Sequence, residues 1–287
     1  MSNQATNLLK YCGSKGKLLD VIEPYIHKAT TMIVEPFCGS ASVSLSQDKS
    51  YYLTDSSPEL INFLQCVRDN PRGVIRYIRR LLNSEKEAIK VISKRDFFKL
   101  LRAEDREHDF LQASSIHRAA RYYFILYHCF NGVYRVNQKG FCNIDFGGDN
   151  RKLPDDWQER IKDASQHINQ HCKGIIDQQF DDMGMMRSIL DSLATGEKLF
   201  VFIDPPYYDT FDMYTKEGTR FEFWDRLLQF LDDLDAAGIP FLMTNSHKPF
   251  ILEKFGKYKI DKVPVKYTVS QDGKRPTVFE AFITNKV

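Results

Sequence analysis

The sequence has no run of 18 or more apolar residues, no CxxC pair and no GxGxxG or GKS/T motif. The first absence argues against a transmembrane helix, because a helix needs about 20 mostly apolar residues to cross a bilayer. The second argues against a zinc ribbon and a disulfide framework, so the six cysteines are expected to be reduced thiols. The third weakens an interpretation as a dinucleotide-binding or P-loop protein.

What is present is enough for a large core. Of the 287 residues, 43% are hydrophobic and 27% are charged. This length fits one core of about 180–200 residues with an insertion of about 100. The start, MSNQATNLLK, lacks a hydrophobic signal core, so a cytoplasmic location without membrane contact is expected.

The distribution of charge suggests a polyanionic binding partner, although the net charge is only +2. Between Arg68 and Arg102, eleven residues are basic and four are acidic. The arginines of this stretch that recur at helical spacing are Arg72, Arg76, Arg79 and Arg80. They predict a basic helix face that either binds phosphates or is simply solvated.

His167 and His171 are four residues apart, can share a helix face and are followed by Cys172. The glutamate of an HExxH motif is missing. A solvated helix end is therefore the favoured interpretation, and no metal site is predicted.

The apolar runs predict an α/β fold. Strands are expected at 31–37, 51–55, 199–203 and 239–245, and a helix is expected at 223–238. Strand–helix–strand order implies a parallel sheet. At the C-terminus, 257–269 and 277–284 read as a hairpin with an Asp-Gly turn in SQDGKRP.

Residues 66–165 interrupt this pattern. Helices are predicted up to Phe130, and NGVYRVNQKGFCNIDFGG then reads as a glycine-punctuated hairpin. The predicted domains are therefore a discontinuous catalytic domain (1–65 and 166–287) and an inserted recognition domain (66–165).

Three predicted strands end in residues that could bind a ligand, because open parallel sheets bind ligands at the carboxyl ends of their strands. Glu35 ends the first strand, ahead of the small-residue turn 39–42 and an expected helix. Asp55 ends the second, where it could bind ribose hydroxyls or cap a helix. The third runs straight into DPPY, which also suits a plain turn.

Six segments, in this order, resemble the Dam-type N6-adenine DNA methyltransferases, which use S-adenosylmethionine. They are LKYCGSKGKLL, VEPFCGSASV, NGVYRVNQKGFCN with the following FGG, DPPY, LMTNSH and KRPTVFEAF. DPPY alone is only moderately specific, but the ordered set covers nearly the whole chain. The resemblance implies a Rossmann-like, mostly parallel sheet with a C-terminal antiparallel hairpin, plus an inserted, mainly helical DNA-recognition domain.

The resemblance also implies how the residues act. Asp204 and the Pro205 carbonyl would accept the two N6–H groups of an extruded adenine, Pro206 would stiffen the turn, and Tyr207 would stack on the base. The methyl acceptor would be double-stranded DNA, the product S-adenosylhomocysteine, and no metal or obligate protein partner is implied.

By the same resemblance, a set of residues would bind the cofactor: Tyr11, Lys15, Glu35, Phe37, Gly39, Ser40, Asp55, Phe180 and Asp204. A second set would contact DNA: Lys10, Asn131, Arg135, Asn137 and Lys139. Ala41 stands where the family often has a second glycine. Relatives that read GATC carry a proline before the FG pair and Arg-Tyr after it. Here Asp145, Gly148 and Asp149 stand instead, which argues against GATC recognition.

Two alternatives stay open at this stage. The same fold could methylate RNA or a protein amide, since related four-residue motifs serve several amino acceptors. The chain could also be a DNA-binding protein that has lost turnover, although Asp55, Asp204 and Tyr207 are intact. Labelled-cofactor transfer to DNA, RNA and protein acceptors would discriminate among these.

Overall fold

The computed structural model describes residues 8–132, 134–182, 189, 191, 195–208, 217–266 and 277–285. Its strands are β1 (Met32–Glu35), β2 (Ser50–Asp55), β3 (Cys172–Asp177), β4 (Leu199–Ile203), β5 (Phe241–Ser246), β6 (Lys259–Lys266) and β7 (Thr277–Thr284). Its α-helices within these residues are α1 (Leu19–Ile22), α2 (Pro58–Asp69), α3 (Pro71–Ala88), α4 (Lys94–Ala103), α5 (Ser115–His128), α6 (Trp157–His171), α7 (Glu217–Ala236) and α8 (Pro249–Lys254). The predicted Asp-Gly turn lies outside the described residues. Among those residues, no helix has both the length and the apolar character needed to cross a membrane.

The chain divides into two compact units. The helical unit consists of Met1–Lys17, Gly39–Asp48 and Ser57–Asp177, and the sheet unit of Leu18–Cys38, Lys49–Ser56 and Gln178–Val287. The helices predicted before Phe130 are present as α2 to α5. The predicted boundaries of the catalytic and recognition domains stay a prediction.

Six of the seven strands belong to the sheet unit, in the order β2-β1-β4-β5-β7-β6. β1 pairs in parallel with β2 and β4, and β4 pairs in parallel with β5. β7 runs antiparallel to both β5 and β6. The α/β class, the mostly parallel sheet and the antiparallel C-terminal strands are therefore confirmed.

The strands in the middle of this sheet are buried along their whole length, as continuous apolar runs in parallel sheets usually are. Helix α7 contributes Trp224, Leu227 and Leu231 to one hydrophobic cluster with Val201 and Met243. Each such buried side chain contributes about 1.5–3 kcal/mol to stability. This packing fixes the ends of β4 and β5, from which the candidate site is built.

Helix α5 is the core of the helical unit, since every residue from Ala119 to His128 is buried. Phe63 of α2 stacks on Tyr123 with ring centroids 5.4 Å apart. Phe97 of α4 meets Phe124 edge-on at 6.1 Å. A helix that is buried on all faces needs partners on all faces, and α2, α3 and α4 supply them.

Arg121 is the charged exception within α5, with no exposed surface. Its Nε atom donates to the Leu101 carbonyl at 2.8 Å and its Nη2 atom to the Arg102 carbonyl at 2.7 Å. The Asp105 carboxylate lies 3.4 Å from Nη2. The guanidinium thus caps carbonyls at the end of α4 and is partly neutralised, which makes its burial tolerable.

The predicted hairpin is present in a short form. Antiparallel bridges join Val136 to Cys142 and Cys129 to Phe146. The second bridge places the returning arm of the hairpin against the end of α5. There the Gly147 N–H donates to the His128 carbonyl at 2.9 Å.

Gly147 allows this close approach. A Cβ atom at position 147 would lie 2.4 Å from the Cys129 carbonyl oxygen and 2.7 Å from its carbonyl carbon. Both atoms belong to the backbone, so no side-chain rotation could relieve the clash. The FGG segment therefore has a packing reason for its first glycine.

We predict that Gly147→Ala lowers the free energy of unfolding by about 1–3 kcal/mol, because the returning arm must move away from α5. Urea titration would show this as a lower midpoint. Gly16→Ala is the matched control, since its Cβ would meet only ordinary contacts at 3.7 Å or more. Equal midpoints for the two variants would contradict the packing argument.

Candidate active site

Parallel pairing brings the carboxyl ends of β1, β2 and β4 to one edge of the sheet, because parallel strands end on the same side. Glu35 at the end of β1 is 2% exposed, and Asp55 and Asp204, at the ends of the neighbouring strands, are half-buried. In the sheet, β2 lies on one side of β1 and β4 lies on the other, so the strand order reverses at β1. Such a reversal of strand order is where open α/β sheets bind ligands.

The carboxylate of Asp204 is held from behind by strand β5. Thr244, which has no exposed surface, donates its hydroxyl to Asp204 Oδ1 at 2.6 Å. Hydrogen bonds to a carboxylate are stronger than those between neutral groups. This bond fixes the carboxylate at the end of β4.

The neighbouring residue on β5 holds the other end of the DPPY segment. Asn245 Oδ1 accepts the N–H of Tyr208 at 3.2 Å and that of Ser246 at 2.9 Å. The Tyr208 ring stacks on Phe250, with centroids 4.4 Å apart and planes 16° apart. Between Asp204 and Tyr208, two prolines restrict the backbone, so a rigid turn is anchored at both ends.

No role for Thr244 or Asn245 is predicted from the sequence. The available signal was their position, because they belong to three consecutive polar residues, Thr244 to Ser246, that end an otherwise apolar buried strand. Buried polar side chains need hydrogen-bond partners, and here the DPPY segment provides them.

Phe37 and Phe180 lie together in the sheet unit. Their rings stack with centroids 5.0 Å apart, and Phe223 meets Phe180 edge-on at 5.5 Å. The Gln178 N–H donates to the Asp55 carbonyl at 3.1 Å, which ties the chain before Phe180 to the end of β2. An aromatic surface and an acid are thereby kept close together.

The helical unit contains the other residues predicted to bind a cofactor. Gly39 adopts a φ of +47°, and a Cβ atom there would lie 3.2 Å from the Tyr11 ring. Ser40 is buried and hydrogen-bonds to Ser14 at 3.0 Å and Ser42 at 2.7 Å. These bonds join the N-terminal segment to the turn, and Lys15 is buried in that same segment. The cofactor roles of these residues stay a prediction.

Two details of this turn differ from expectation. The expected helix is wrong, because only a single 3₁₀ turn, Ser44–Ser46, follows residues 39–42. Ala41 adopts a φ of +53°, a left-handed conformation that glycine adopts more readily than alanine. The chain thus keeps a glycine-like backbone at the position where the resemblance implies a second glycine.

The residues predicted to contact DNA all lie in the helical unit, and Lys10 is next to the hairpin. Gly132 approaches Lys10 so closely that a Cβ atom would lie 2.6 Å from the Lys10 carbonyl oxygen. The Cys12 N–H donates to the Gly132 carbonyl at 3.2 Å. Burial, and then the charge of Arg151, lowers the pKa of Lys10.

Within the hairpin, these residues have different environments. Asn131 and Lys139 are exposed. Asn137 closes the turn, because its Oδ1 atom accepts the N–H groups of Lys139 at 2.9 Å and Phe141 at 3.1 Å. Arg135 lies 3.7 Å from the exposed Asp145 carboxylate. A carboxylate thus faces the guanidinium where a phosphate or a base would have to bind.

The basic face predicted on α3 is present, since Arg72, Arg76, Arg79 and Arg80 are all exposed. Arg80 lies over the ring of Tyr77, 4.9 Å from its centroid. Arg79 donates to Gln158 of α6. Phosphate binding by this face stays a prediction.

Comparison with known proteins identifies one family. The profile described as "D12 class N6 adenine-specific DNA methyltransferase" matches residues 11–269. A type II methyltransferase of Lactococcus lactis subsp. cremoris is 29% identical, over 96% of this chain and 94% of that protein. A type II methyltransferase of Methanocaldococcus jannaschii is 26% identical, over 96% and 98%. The DNA adenine methylase of Escherichia coli K12 is 24% identical, over 92% and 89%.

Proposed function

The chain belongs to the D12 class of N6 adenine-specific DNA methyltransferases, and on that premise we propose that Asp204 and Pro205 activate the adenine amino group for methylation by S-adenosylmethionine. The observation that carries the proposal is the Asp204 carboxylate, fixed at the end of buried β4 by Thr244. Family membership decides against the RNA and protein acceptors considered above. A DNA substrate also favours the cytoplasmic location expected from the sequence.

The residues of the sheet unit fit this cofactor by their chemistry. Glu35 offers a buried carboxylate to a positively charged ligand, Asp55 could accept hydrogen bonds from ribose hydroxyls, and Phe37 with Phe180 offers an aromatic surface. When bound, the cofactor would supply a methyl group carried on a sulfonium sulfur, and that sulfur would keep the electron pair of the broken S–C bond.

Asp204 and Pro205 act on the acceptor nitrogen. The lone pair of adenine N6 is delocalised into the ring, so the nitrogen is a poor nucleophile. A carboxylate oxygen of Asp204 and the Pro205 carbonyl each accept one N6–H, which favours a tetrahedral nitrogen with a free lone pair. As the N–C bond forms, the carboxylate stabilises the positive charge on nitrogen, and one N6 proton then passes to solvent water.

The target base must leave the duplex to reach these atoms, at a cost of a few kcal/mol in lost stacking and pairing. Tyr207, half-buried beside the exposed Pro206, offers a ring on which the extruded adenine stacks. Such base–aromatic stacking contributes about 1–3 kcal/mol. The rigid turn fixes the position of this ring relative to the Pro205 carbonyl.

In the helical unit, Lys10, Asn131, Arg135 and Lys139 contact the DNA, with Arg135 as the main cation of the hairpin. Asn137 supports the turn by the two hydrogen bonds that its side chain accepts. Asp145 lies within reach of Arg135. It is one of the residues that argue against GATC as the recognition sequence.

We predict that Asp204→Ala lowers methyl transfer at least about 100-fold, because the amino group loses its charged acceptor. Transfer of labelled methyl groups to adenine-containing duplexes measures this, and DNA affinity should stay within a few-fold of wild type. Asp235→Ala removes an exposed carboxylate from α7 of the same unit and serves as the control. Wild-type turnover in Asp204→Ala would contradict the mechanism, and inactivity of the wild-type protein on every duplex would support the DNA-binding alternative.

Thr244 is a positioning residue, and we predict that Thr244→Val lowers kcat about ten- to a hundredfold with little change in KM for the cofactor. The variant keeps the side-chain shape but removes a hydrogen bond to a charged group, a loss of about 1.5–3 kcal/mol. Thr244→Ser retains the hydroxyl and should recover most of the activity. If kcat falls equally in the serine and valine variants, the hydroxyl of residue 244 does not position Asp204 and the assignment is wrong.

We predict that Arg135→Ala weakens duplex binding and makes the slope of log affinity against log salt shallower by about 1, because one phosphate contact is lost. Fluorescence anisotropy at several salt concentrations measures the slope, and calorimetry should show unchanged cofactor affinity. Asp145→Ala leaves Arg135 in place and should not weaken binding. Comparable losses of DNA and cofactor affinity in Arg135→Ala would reject the assignment.

A further inference from the structure

One cluster of metal-ligating side chains lies in the helical unit and has no part in the proposed chemistry. His167 and His171 are one turn apart on α6, and their ring centroids are 4.6 Å apart. Asp48, at the end of segment Gly39–Asp48, faces them. One potential ligand atom from each residue lies within 4.8 Å of the other two. Within the described part of the chain, this is the only such group of three.

We propose that Asp48, His167 and His171 bind a divalent transition-metal ion of the zinc class. Two imidazoles and a carboxylate, with a fourth position for water, are a ligand set that zinc uses in proteins. Histidines at i and i+4 of a helix point the same way, so α6 presents both rings together. The absence of an HExxH motif is no obstacle, because the third ligand comes from a distant segment.

The ring of His167 has the properties of a ligand. It lies on α6 beside the ring of His171, and it is partly buried, so the two rings form a pair that one ion can reach. Its ring also interacts with the backbone of Gln47, the residue before Asp48.

Binding requires a small contraction of the cluster. Zinc–nitrogen and zinc–oxygen distances of about 2.0–2.2 Å place neighbouring ligand atoms about 3.3–3.6 Å apart in a tetrahedral site. Asp48 is exposed and His171 half-buried, so both side chains have room to turn inward. The ion would then fasten the end of segment Gly39–Asp48 to α6 within the helical unit. Its role is structural and separate from methyl transfer.

The nearby thiol is not part of the site. Cys172 follows His171, but its Sγ atom donates to the Gly174 carbonyl at 3.2 Å. That bond turns the thiol toward its own backbone two residues further along the chain. The donor set is therefore nitrogen and oxygen, which can be tested by spectroscopy.

The test uses the full chain, stripped with a chelator and titrated with Zn²⁺ by calorimetry under reducing conditions. One equivalent should bind, and the thermal midpoint should rise with Zn²⁺ but not with Mg²⁺ at the same concentration. His171→Gln and Asp48→Asn should each lower the affinity at least about tenfold and remove the rise in midpoint. His108→Gln changes an exposed histidine outside the cluster and should behave as wild type.

Because both ligand variants change side chains that are at least partly exposed, their metal-free midpoints should match that of the wild type. The Co²⁺ complex should lack the intense near-ultraviolet absorption of a thiolate ligand. Failure of the wild type to bind Zn²⁺, unchanged affinity in both variants, or a thiolate band would each overturn the proposal.

Discussion

The parallel pairing of β4 with β5 is the constraint on which the proposed chemistry depends. It places Thr244 and Asn245 beside the segment that leaves β4. One bond then fixes the Asp204 carboxylate and another fixes the Tyr208 backbone, with two prolines between them. A catalyst that works mainly by positioning requires this kind of support, because a side chain on an unanchored loop would spread over several orientations.

The helical unit depends on a comparable arrangement around α5. Its buried face is continuous, and the end of the helix receives the returning arm of the hairpin through the Gly147 amide and the Cys129–Phe146 bridge. The hairpin that contains most of the positions proposed to contact DNA is thereby attached to the end of this buried helix. A short hairpin with few bridges of its own is stabilised by this attachment, since isolated hairpins are marginally stable.

One ion pair in the hairpin bears on the proposed DNA contacts. Asp145 faces Arg135, so a duplex must compete with an internal carboxylate for that cation. An exposed ion pair of this kind is worth about 0–1 kcal/mol, which is small against a correct contact but sufficient to weaken a poor one. The departures from the GATC-reading pattern, Asp145, Gly148 and Asp149, fall in this same stretch.

The sequence by itself determined most of the strands and helices and the identity of the proposed chemical groups, although strand β3 was not among the predicted elements. Strands such as 199–203 are short apolar runs bounded by polar residues, and the 3.6-residue period of 223–238 is local, so each could be recognised without its neighbours. DPPY, Glu35 and Asp55 were found because the ends of buried strands are marked by a change from apolar to polar residues.

Only the tertiary structure decided what those residues touch. The bond from Thr244 to Asp204 joins positions 40 apart in the chain, and the meeting of Asp48 with His167 joins positions still further apart, so no local pattern contains them. The turn at 39–42 was expected to lead into a helix, yet its left-handed residues and the contacts of its serines with Ser14 replaced that helix with a single 3₁₀ turn. Side-chain contacts of this kind form only when distant segments of the chain pack together. They therefore depend on the whole fold and not on the residues that are neighbours in sequence.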